Sequence, residues 1–572
     1  MTDPFSRVES FAPILQEPIW QQYRELEASS VEARIRLAYE RARSLIKAVV
    51  DPLSTSLLGR SGAHLPAAFT LDSGAWTILT IHWNLCMGTI SSFLSERSDL
   101  LPLLQALERF DTCGEFLLTE LGHGLDARNI ETTATHQADG SFVLHTPNPR
   151  AAKTMPPSSP HSGMARMAVV FARLMVADKD HGVRSFIVPL NDASGAMCRG
   201  VACILFPARP GAKAIDHAST SFRHVPLPAE ALLGHLHGSP KDERKDFMRA
   251  IHRVTVGTLC LSTSNATVLR VAGCIAGRYS AQRRVGAPKS VPILSFSTQY
   301  GPIARILAHA VVFDKYAIEA MQLFMANVGK PDMQNVIAGT FKATVLGYTQ
   351  KALSELVDRC GWQGLYAHNQ ISELWLAEKG NNIAEGDFVV LCIRLASEAL
   401  LGRYAPPKPR DPQCLLARHE SGVWDEARQI WASLPDGQRG KEFNTRLLPL
   451  CLPLVQATGQ RMAYEAAKDA MIHGNDRGVG MTPQVLALYE STCMMEDQSW
   501  YVENGIMSRR ELMNRNVDAV NSLLPLLKDM INDPAVDAFV NAPMVDQDRQ
   551  AVFFSSLPSF QGSEFEYFQA KI

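Results

Sequence analysis

Apolar residues recur every three or four positions along the N-terminal part of the chain, with charged residues between them. The run VEARIRLAYERARSLIKAVV at 31–50 has this pattern, and SERSDLLPLLQALERFD at 95–111 continues it. Such spacing puts the apolar side chains on one face of an amphipathic helix. The pattern therefore predicts an N-terminal helical domain over residues 1–114.

A different periodicity begins near residue 115. In ETTATHQADGSFVLHTP, two alternating runs rich in Thr and Val flank Asp139-Gly140, which predicts a β-hairpin. AVVFARLMVA and RSFIVPL are further strand candidates. MARMAVVFARLM also fits a helix, but its β-branched residues and its strand-like neighbours favour a strand. These features predict a middle β domain, a barrel or a sandwich, over residues 115–236.

Long helical patterns then return at 247–284, 293–329 and 336–361. In the second of them, Pro302 is expected to interrupt the helix or to precede its start, because proline lacks a backbone N–H. No a/d heptad repeat accompanies these patterns, so they predict a packed helical bundle over residues 237–403.

Four prolines in YAPPKPRDPQ indicate a linker at 404–413. Helical patterns follow it, so residues 404–572 are predicted to form a C-terminal helical domain. The predicted fold class is therefore α+β, mostly α. Its order is an N-terminal helical domain, a middle β-barrel or sandwich domain, a helical-bundle domain and a C-terminal helical domain.

The composition is that of a soluble globular enzyme. The 572 residues include 56 basic and 58 acidic ones, which gives a net charge of −2, and 46% are hydrophobic. This balance gives no reason to expect a nucleic-acid partner or an acidic membrane surface. No run of about 18 uncharged apolar residues predicts a membrane span, and MTDPFSRVESF at the N-terminus lacks the basic and apolar regions of a secretory signal.

The eleven cysteines are scattered, without a CxxC pair or a Cys/His cluster of zinc-ligand spacing, so no metal site is predicted. Cys360, Cys392 and Cys451 lie in apolar surroundings and are interpreted as buried free thiols, with redox or metal roles as the alternative. Free thiols fit a reducing, intracellular compartment. The final residues, Ala570-Lys571-Ile572, are a conservative variant of the Ser-Lys-Leu peroxisomal address.

The run TELGHG, from Thr119 to Gly124, is followed by Arg128 and by ETTAT at 131–135. It resembles the start of the β domain of acyl-CoA oxidases, which have T-E-x-G-H-G and then R-x-x-E-T-T-A-T. AVVFARL, HGVRSFIVPL, RYSAQRR and ILSFSTQ follow in the order of that family. The resemblance covers about residues 60–400. It implies a homodimeric FAD enzyme that dehydrogenates an acyl-CoA or another acyl thioester and passes the electrons to O2.

Glu385 is the catalytic residue that this resemblance implies. It precedes the apolar run FVVLCIRLA, and Cys360-Gly361 aligns without gaps with a C-G-G-H-G-Y element upstream of the family's base. That base removes the α-proton of the thioester while the flavin accepts a hydride from the β-carbon. Apolar neighbours would raise the pKa of its carboxyl group toward neutrality. The alternative is a helix N-terminal carboxylate stabilised by the helix dipole.

Three residues are cofactor candidates on the same resemblance. Thr119 matches the threonine that hydrogen-bonds the isoalloxazine ring, with an ordinary strand threonine as the alternative. Arg283 matches an arginine that reaches the FAD pyrophosphate, often from the partner subunit, because a guanidinium is permanently charged and forked. Arg284 is close enough to take that role, and both arginines fit a solvated face as well. Gln299 matches a glutamine near the same dinucleotide.

The sequence departs from the family pattern around the expected pocket. The K-W-W-P-G-G element is replaced, from Lys153, by KTMPPSSPHSG, where Pro157 takes the place of a glycine that approaches the flavin and lacks its N–H. These departures predict an unusual substrate in specialised metabolism. They leave open a dehydrogenase with another electron acceptor, and a cofactor-free member that is a non-redox enzyme or a partner subunit. Further replacements are Trp362-Gln363-Gly364-Leu365 for G-H-G-Y, Asp216-His217-Ala218 for D-N-G, and Phe388 for an asparagine.

Overall fold

The computed structural model describes residues 13–21, 29–49, 66–212, 215–236, 243–435, 437, 440–473 and 480–560. Helices make up most of this part of the chain, and a β region lies between the N-terminal helices and the long helices that follow. The predicted class, α+β and mostly α, is confirmed. The C-terminal tripeptide that resembles a peroxisomal address lies outside the described residues.

The N-terminal part is helical, and one of its helices changes type along its length. The α-helix that begins at Ser73 runs into π-helical turns at Thr80–Met87, which widen the helix and change the directions of its side chains. Asp72 caps its start by accepting from the N–H of Ala75 at 2.9 Å. The α-helices are α1 Pro18–Gln21, α2 Val31–Val49, α3 Pro66–Leu71, α4 Ser73–Leu79, α5 Gly88–Ser91 and α6 Leu101–Glu108.

The β region contains one large sheet and one small sheet. Its strands are β1 Thr112–Leu117, β2 Thr133–His136, β3 Phe142–His145, β4 Lys153–Pro157, β5 Ala165–Val176, β6 Lys179–Asn191, β7 Val201–Leu205, β8 His217–Phe222, β9 Val225–Leu227 and β10 Leu232–Leu233. In the large sheet, the long strands β5 and β6 are antiparallel, and β1 and β2 run parallel to β5. Strands β4, β8 and β7 form the small sheet.

The predicted β-hairpin is confirmed, because β2 and β3 pair antiparallel with Gly140 in the turn at a φ of +87°. The segment MARMAVVFARLM lies in β5, which confirms a strand in place of a helix. Of the predicted barrel or sandwich, a closed barrel is corrected, since the large sheet is curled and open, as a half-barrel. Short alternating runs predict strands, but whether the last strand closes on the first depends on long-range pairing.

Strand β5 joins two hydrophobic cores. Its alternate residues Met167, Val169 and Phe171 belong to the large core that includes the helices. The intervening residues Ala168 and Val170 belong to the smaller core inside the β region. Successive side chains of a strand point to opposite faces, so both faces of β5 are apolar and both are covered.

The helical bundle is built around a long apolar helix, α8 (His252–Gln282), which packs against α9 (Ser297–Ala326) and α10 (Pro331–Arg359). In the described part of the chain, α8 is long and apolar enough to cross a membrane, but 89% of its apolar window is buried inside the protein, as in a core helix. The bundle helices are α7 Glu243–Ala250, α8 His252–Gln282, α9 Ser297–Ala326, α10 Pro331–Arg359, α11 Ile371–Ile383 and α12 Phe388–Leu400. The short strands β11 Arg284–Val285 and β12 Val291–Pro292 pair between α8 and α9.

Pro302 neither interrupts α9 nor precedes it, and this corrects the expectation from the sequence. The helix begins at Ser297 and continues through the proline to Ala326. Pro302 lies in the second turn and is buried, so a single backbone hydrogen bond near the helix start is lost while the packing of the helix is kept.

Residues 404–413 contain no helix or strand, as a linker would, and helices follow. Helix α14 packs against both α9 and α10, so the C-terminal helices share the core of the bundle. Strands of the β region begin at Thr112 and end at Leu233, and the domain boundaries stay predictions. The C-terminal α-helices are α13 Leu415–Ser433, α14 Leu448–His473, α15 Pro483–Glu496, α16 Gln498–Glu503, α17 Arg509–Ile531 and α18 Gln547–Ser555.

Candidate active site

Glu385 lies in the tight turn between α11 and α12. Its φ is +52°, in the left-handed region that non-glycine residues rarely occupy, and the φ of Gly386 is +102°. Asp387 caps α12 by accepting from the N–H groups of Val389 and Val390 at 3.1 and 3.2 Å. The helix N-terminus is therefore satisfied by Asp387, and the carboxylate of Glu385 is directed elsewhere.

The carboxylate of Glu385 lies against α8 at a glycine. A Cβ built on Gly257 would stand 1.0 Å from Oε2 of Glu385, so only glycine leaves room for the carboxylate there. The side-chain amide of Asn84 donates to the same oxygen at 3.3 Å. The residue Glu385 keeps some accessible surface, while its carboxylate is packed against the buried face of a core helix.

Asn84 belongs to the π-helical turns of the N-terminal part and is fully buried. Its Nδ2 also donates to the carbonyl of Arg253 at 3.1 Å, and Nε of Arg253 donates to the carbonyl of Asn84 at 2.9 Å. This reciprocal pair joins the N-terminal helices to the start of α8. Neither Asn84 nor Arg253 could be predicted from the sequence. No local pattern marks a π-helical turn, or a contact between two residues that are 301 positions apart in the chain.

Side chains from two helices hold the backbone of the Glu385 turn. Lys342, on α10, donates from Nζ to the carbonyls of Ala384 and Gly386, both at 2.7 Å. Thr258, on α8, donates from Oγ1 to the carbonyl of Glu385 at 2.6 Å. Neither residue was a candidate from the sequence, because a buried lysine and a helix threonine have no distinctive spacing.

Burial raises the pKa of Glu385 to about 8, against the opposing effects of Lys342, Arg253 and the hydrogen bond from Asn84. Burial likewise lowers the pKa of Lys342 to about 8, although Glu385, Asp387 and Glu378 oppose that change. A carboxyl group with a pKa near neutrality can accept a proton in one step and release it in the next. Burial thus shifts the pKa in the direction expected from the sequence, although the groups beside the carboxylate, Asn84, Arg253 and Lys342, are polar.

Exposed apolar side chains flank the Glu385 turn. Ile383 ends α11 with 68% of its surface exposed, and Val389 and Val390 begin α12 with 49% and 38% exposed. We call these three side chains the apolar rim, and exposed apolar surface of this kind can bind apolar ligands.

Thr119 follows β1 and is partly buried. Its carbonyl accepts from the N–H of Thr154, so it lies beside the start of β4. The next residue, Glu120, is buried and forms an ion pair with Lys153, with 2.9 Å between Oε1 and Nζ. Glu120 also accepts from the N–H groups of Glu131 and Thr132, at 2.7 and 2.9 Å. The motif TELGHG thus builds a loop that is fixed to ETTAT.

Arg283 and Gln299 lie together at another end of the bundle. Arg283 is exposed just after α8, whereas Nη2 of Arg284 donates to the carbonyl of Ser290 at 2.5 Å. Nε2 of Gln299 donates to Oγ of Ser280 and to the carbonyl of Arg359, both at 2.8 Å. Gln299, at the start of α9, is thus hydrogen-bonded to the ends of α8 and α10 through its amide nitrogen. Its amide oxygen Oε1 is the group that could accept from a ligand.

The replaced loop after Lys153 is packed into the protein. Pro157, Ser158 and Ser159 are buried, and Ser159 donates from its N–H and Oγ to Oδ2 of Asp216 at 3.1 and 2.7 Å. Tyr39 of α2 donates to the other oxygen of Asp216 at 3.0 Å. These bonds connect the loop to the N-terminal helices through the residue that begins the altered D-N-G element.

A pocket of about 450 Å³ lies elsewhere, between α9, the linker and α14. Four of its charged residues form ion pairs with one another: Arg410 with Glu319 and Glu465, and Arg461 with Glu465 at 2.9 Å. It is lined by none of the four residues proposed from the sequence. In the described part of the chain, those four residues lie in three places. Arg283 and Gln299 lie near the end of α8, Thr119 lies beside β4, and Glu385 lies against Gly257.

The family model described as acyl-CoA oxidase, C-alpha1 domain, matches residues 254–400. Among curated proteins, the peroxisomal acyl-coenzyme A oxidase 2 of Arabidopsis thaliana is 27% identical over 367 residues, which are 60% of this chain and 52% of the relative. Peroxisomal acyl-coenzyme A oxidase 3 of Homo sapiens is 27% identical over 391 residues, 62% and 55% of the two chains. The chain thus spans about half the length of the curated relatives it matches.

Solved structures share the whole architecture. Acyl-CoA oxidase 1 of Yarrowia lipolytica has a TM-score of 0.83 at 18% identity, over 100% of this chain and 92% of that chain. Acyl-CoA oxidase-1 of Caenorhabditis elegans, complexed with FAD and ATP, has a TM-score of 0.79 at 18% identity, over 96% and 90%. The order of helices, open sheet and bundle is therefore that of the acyl-CoA oxidase fold. In sequence, the chain is similar to acyl-CoA oxidases, and its residues 254–400 match the C-alpha1 domain of that family.

Proposed function

We propose that the protein is an FAD-dependent, acyl-CoA oxidase-like enzyme that introduces a double bond between the α and β carbons of an acyl thioester. Glu385 is the proposed base. The observation that carries this proposal is the carboxylate of Glu385, held against Gly257 with its pKa raised to about 8, in the segment that matches the family model.

The proposed work of this chain is to remove the proton and to exclude water. Deprotonated Glu385 accepts the α-proton of the thioester, and the apolar rim of Ile383, Val389 and Val390 holds the acyl chain beside it. When bound, FAD supplies the acceptor for the hydride that leaves the β-carbon. Loss of one proton and one hydride leaves the trans-2,3-enoyl thioester.

Three residues are proposed to hold FAD. The hydroxyl of Thr119 is proposed to donate to the isoalloxazine ring, because the residue is partly accessible at the end of β1. Arg283 carries an exposed, permanently charged guanidinium that suits the pyrophosphate. Gln299 keeps its amide oxygen for the dinucleotide, since its amide nitrogen is bound to Ser280 and Arg359.

One observation favours a second candidate, a cofactor-free member of the family. Pro157 has no N–H, and the loop around it is buried against Asp216 in place of the tryptophans and glycines of the family pattern. In the proposed enzyme, Pro157 gives no backbone donor to the ring, and Thr119 carries the contact from the β region.

Transfer of electrons to O2, with H2O2 as the product, is proposed from the family, and the rebuilt loop supports an unusual acyl thioester as substrate. A homodimer is proposed because the exposed Arg283 suits a cofactor shared between subunits. A peroxisomal location is proposed from the variant address Ala570-Lys571-Ile572 and from the names of the relatives.

The test uses purified full-length protein. Flavin absorbance near ~450 nm is expected, together with bleaching when an acyl-CoA is added without oxygen, and H2O2 on readmission of air. Bleaching that is reversed only by an artificial acceptor would identify a dehydrogenase. Protein that stays colourless after incubation with FAD would refute the proposal and support the cofactor-free candidate.

A further inference from the structure

We propose that Lys342 and Thr258 are positioning residues that hold three consecutive backbone carbonyls of the Glu385 turn and thereby fix where the base carboxylate lies. The catalytic role of this arrangement rests on the function proposed above. Neither residue is assigned a role by the sequence resemblance.

The three carbonyls belong to Ala384, Glu385 and Gly386, and side chains from two different helices bind all of them. Lys342 of α10 binds the first and the third from one nitrogen, at 2.7 Å each, and Thr258 of α8 binds the middle one at 2.6 Å. The hydroxyl of Thr258 has one proton, which it shares between the carbonyl of Glu385 and that of Val254 in its own helix, 2.9 Å from Oγ1. A turn held at three successive peptides has little freedom to change its dihedral angles.

The turn needs such support because of the conformation of Glu385. A glutamate at a φ of +52° is strained, and a relaxed φ would swing its side chain away from Gly257. The hydrogen bonds to the flanking carbonyls oppose that relaxation. The contact between the carboxylate and α8 is therefore a consequence of the bonds made by Lys342 and Thr258.

Lys342 contributes charge as well as hydrogen bonds. Its side chain is fully buried, and a buried ammonium group needs hydrogen-bond acceptors and nearby negative charge. The titratable groups that act on it are Glu385, Asp387, Glu378 and Cys392, while Lys342 and Arg253 act on Glu385. A positive charge beside Glu385 favours the carboxylate form, so Lys342 works against the effect of burial. Thr258 is neutral and provides position without charge.

This difference predicts distinct effects of two variants. In Lys342→Met, the pKa of the Glu385 carboxyl is expected to rise by about one pH unit, because a nearby cation is lost. In Thr258→Val, that pKa is expected to change much less, while turnover falls by about tenfold at saturating substrate because the base is misaligned. The control is Thr349→Val, since Thr349 is buried on α10 and, among the described residues, donates within its own helix to the carbonyl of Val345 at 2.7 Å.

The first measurement needs no turnover. Infrared difference spectra of the flavin-free protein, each taken against the same protein with Glu385→Gln, follow protonation of the Glu385 carboxyl as pH changes. An upward shift in Lys342→Met, absent from Thr349→Val, supports the proposal. Equal titration curves in wild type and Lys342→Met would overturn it. Lys342→Gln takes the same test if the methionine variant does not fold.

The second measurement uses the flavin-loaded enzyme and the pH dependence of turnover. In Lys342→Met, the rising limb of the plot of turnover against pH is expected to move to higher pH. In Thr258→Val, this limb is expected to stay in place, while the maximum turnover is lower. Unchanged turnover in Thr258→Val would overturn the role of Thr258. Wild-type protein that fails to oxidise acyl-CoA would refute the proposed function, while the infrared titration would still decide the positioning role.

Discussion

Glu385 has a backbone conformation that the residue would not adopt on its own. For an L-residue other than glycine, the left-handed region is less favourable by roughly 1–2 kcal/mol. Hydrogen bonds from side chains of α8 and α10 to the backbone of the turn offset this free energy. The result is a carboxylate packed against Gly257 and bonded to Asn84. At the scale of single residues, the proposed chemistry therefore depends on one strained turn.

Glu385→Gln is expected to keep FAD bound and to reduce turnover by about 10²–10⁴-fold, because the α-proton loses its acceptor. The amide has nearly the same shape, so folding and flavin absorbance are expected to be unchanged. Stopped-flow bleaching of the flavin by an acyl-CoA measures the loss. Asp387→Asn is the matched control, since asparagine also caps helices well. Full activity in Glu385→Gln would remove Glu385 from the mechanism.

Arg283→Ala is expected to weaken retention of FAD by about tenfold or more, because an exposed guanidinium that suits the pyrophosphate is lost. The ratio of flavin to protein after gel filtration, and titration of the flavin-free protein with FAD, measure the effect. Arg284→Ala is the control, because Arg284 is already bonded to Ser290. If the control loses FAD and Arg283→Ala does not, the pyrophosphate contact belongs to Arg284.

At the scale of elements, helix α8 is where the site is assembled. It supplies Gly257, Thr258 and, one turn earlier, Arg253, while α10 supplies Lys342 and the π-helical turns supply Asn84. Gly257 lies within this helix, where a glycine is less favourable than an alanine by about 1 kcal/mol. The close approach of the Glu385 carboxylate explains why a glycine occupies this position.

Gly257→Ala is therefore expected to displace the Glu385 carboxylate and to lower turnover by at least about tenfold, although alanine is the better helix former. Turnover and the melting temperature measure the two effects. Gly301→Ala in α9 is the control, because the nearest atom to its added Cβ is a side-chain nitrogen of Arg305 at 3.5 Å. Unchanged turnover in Gly257→Ala would mean that the carboxylate works from another position.

At the scale of the whole molecule, one large hydrophobic core includes residues from the N-terminal helices, the β region, the bundle and the C-terminal helices. Carboxyl groups are buried within this frame. Burial raises the pKa values of Glu115, Glu378 and Glu385 to about 8 each. Each group binds its proton more tightly in the folded protein than in the unfolded chain, so its contribution to stability is full at low pH and is lost as pH rises through the folded pKa.

The free energy of unfolding is accordingly expected to fall between about pH 6.5, the ordinary pKa of histidine, and about pH 8, which is the upper part of the range over which these raised pKa values act. Urea unfolding at a series of pH values measures this slope. Glu378→Gln is expected to flatten it, because one of the three carboxyl groups is removed, whereas Glu503→Gln at an exposed position is expected to leave it unchanged. A wild-type stability that rises across this interval would contradict the prediction.

The local pattern of the sequence was sufficient for many elements. Alternation around Asp139-Gly140 predicted the hairpin, and the composition of 165–176 predicted β5. The prediction for Pro302 was wrong, because the free-energy cost of a proline within a helix depends on how the helix is packed. The open curl of the large sheet was missed for a related reason, since pairing between distant strands leaves no periodic signal.

The sequence by itself determined which residues are candidates for the chemistry: the glutamate Glu385 before an apolar helical pattern, the TELGHG run, and Arg283 in RYSAQRR. Only the tertiary structure decided what surrounds them. Asn84 bonds to Glu385 across 301 positions, and Gly257, Thr258 and Lys342 reach the same turn from two other helices. Periodicity reports which face of an element is apolar, whereas the partners of a buried charge are set by how distant elements pack.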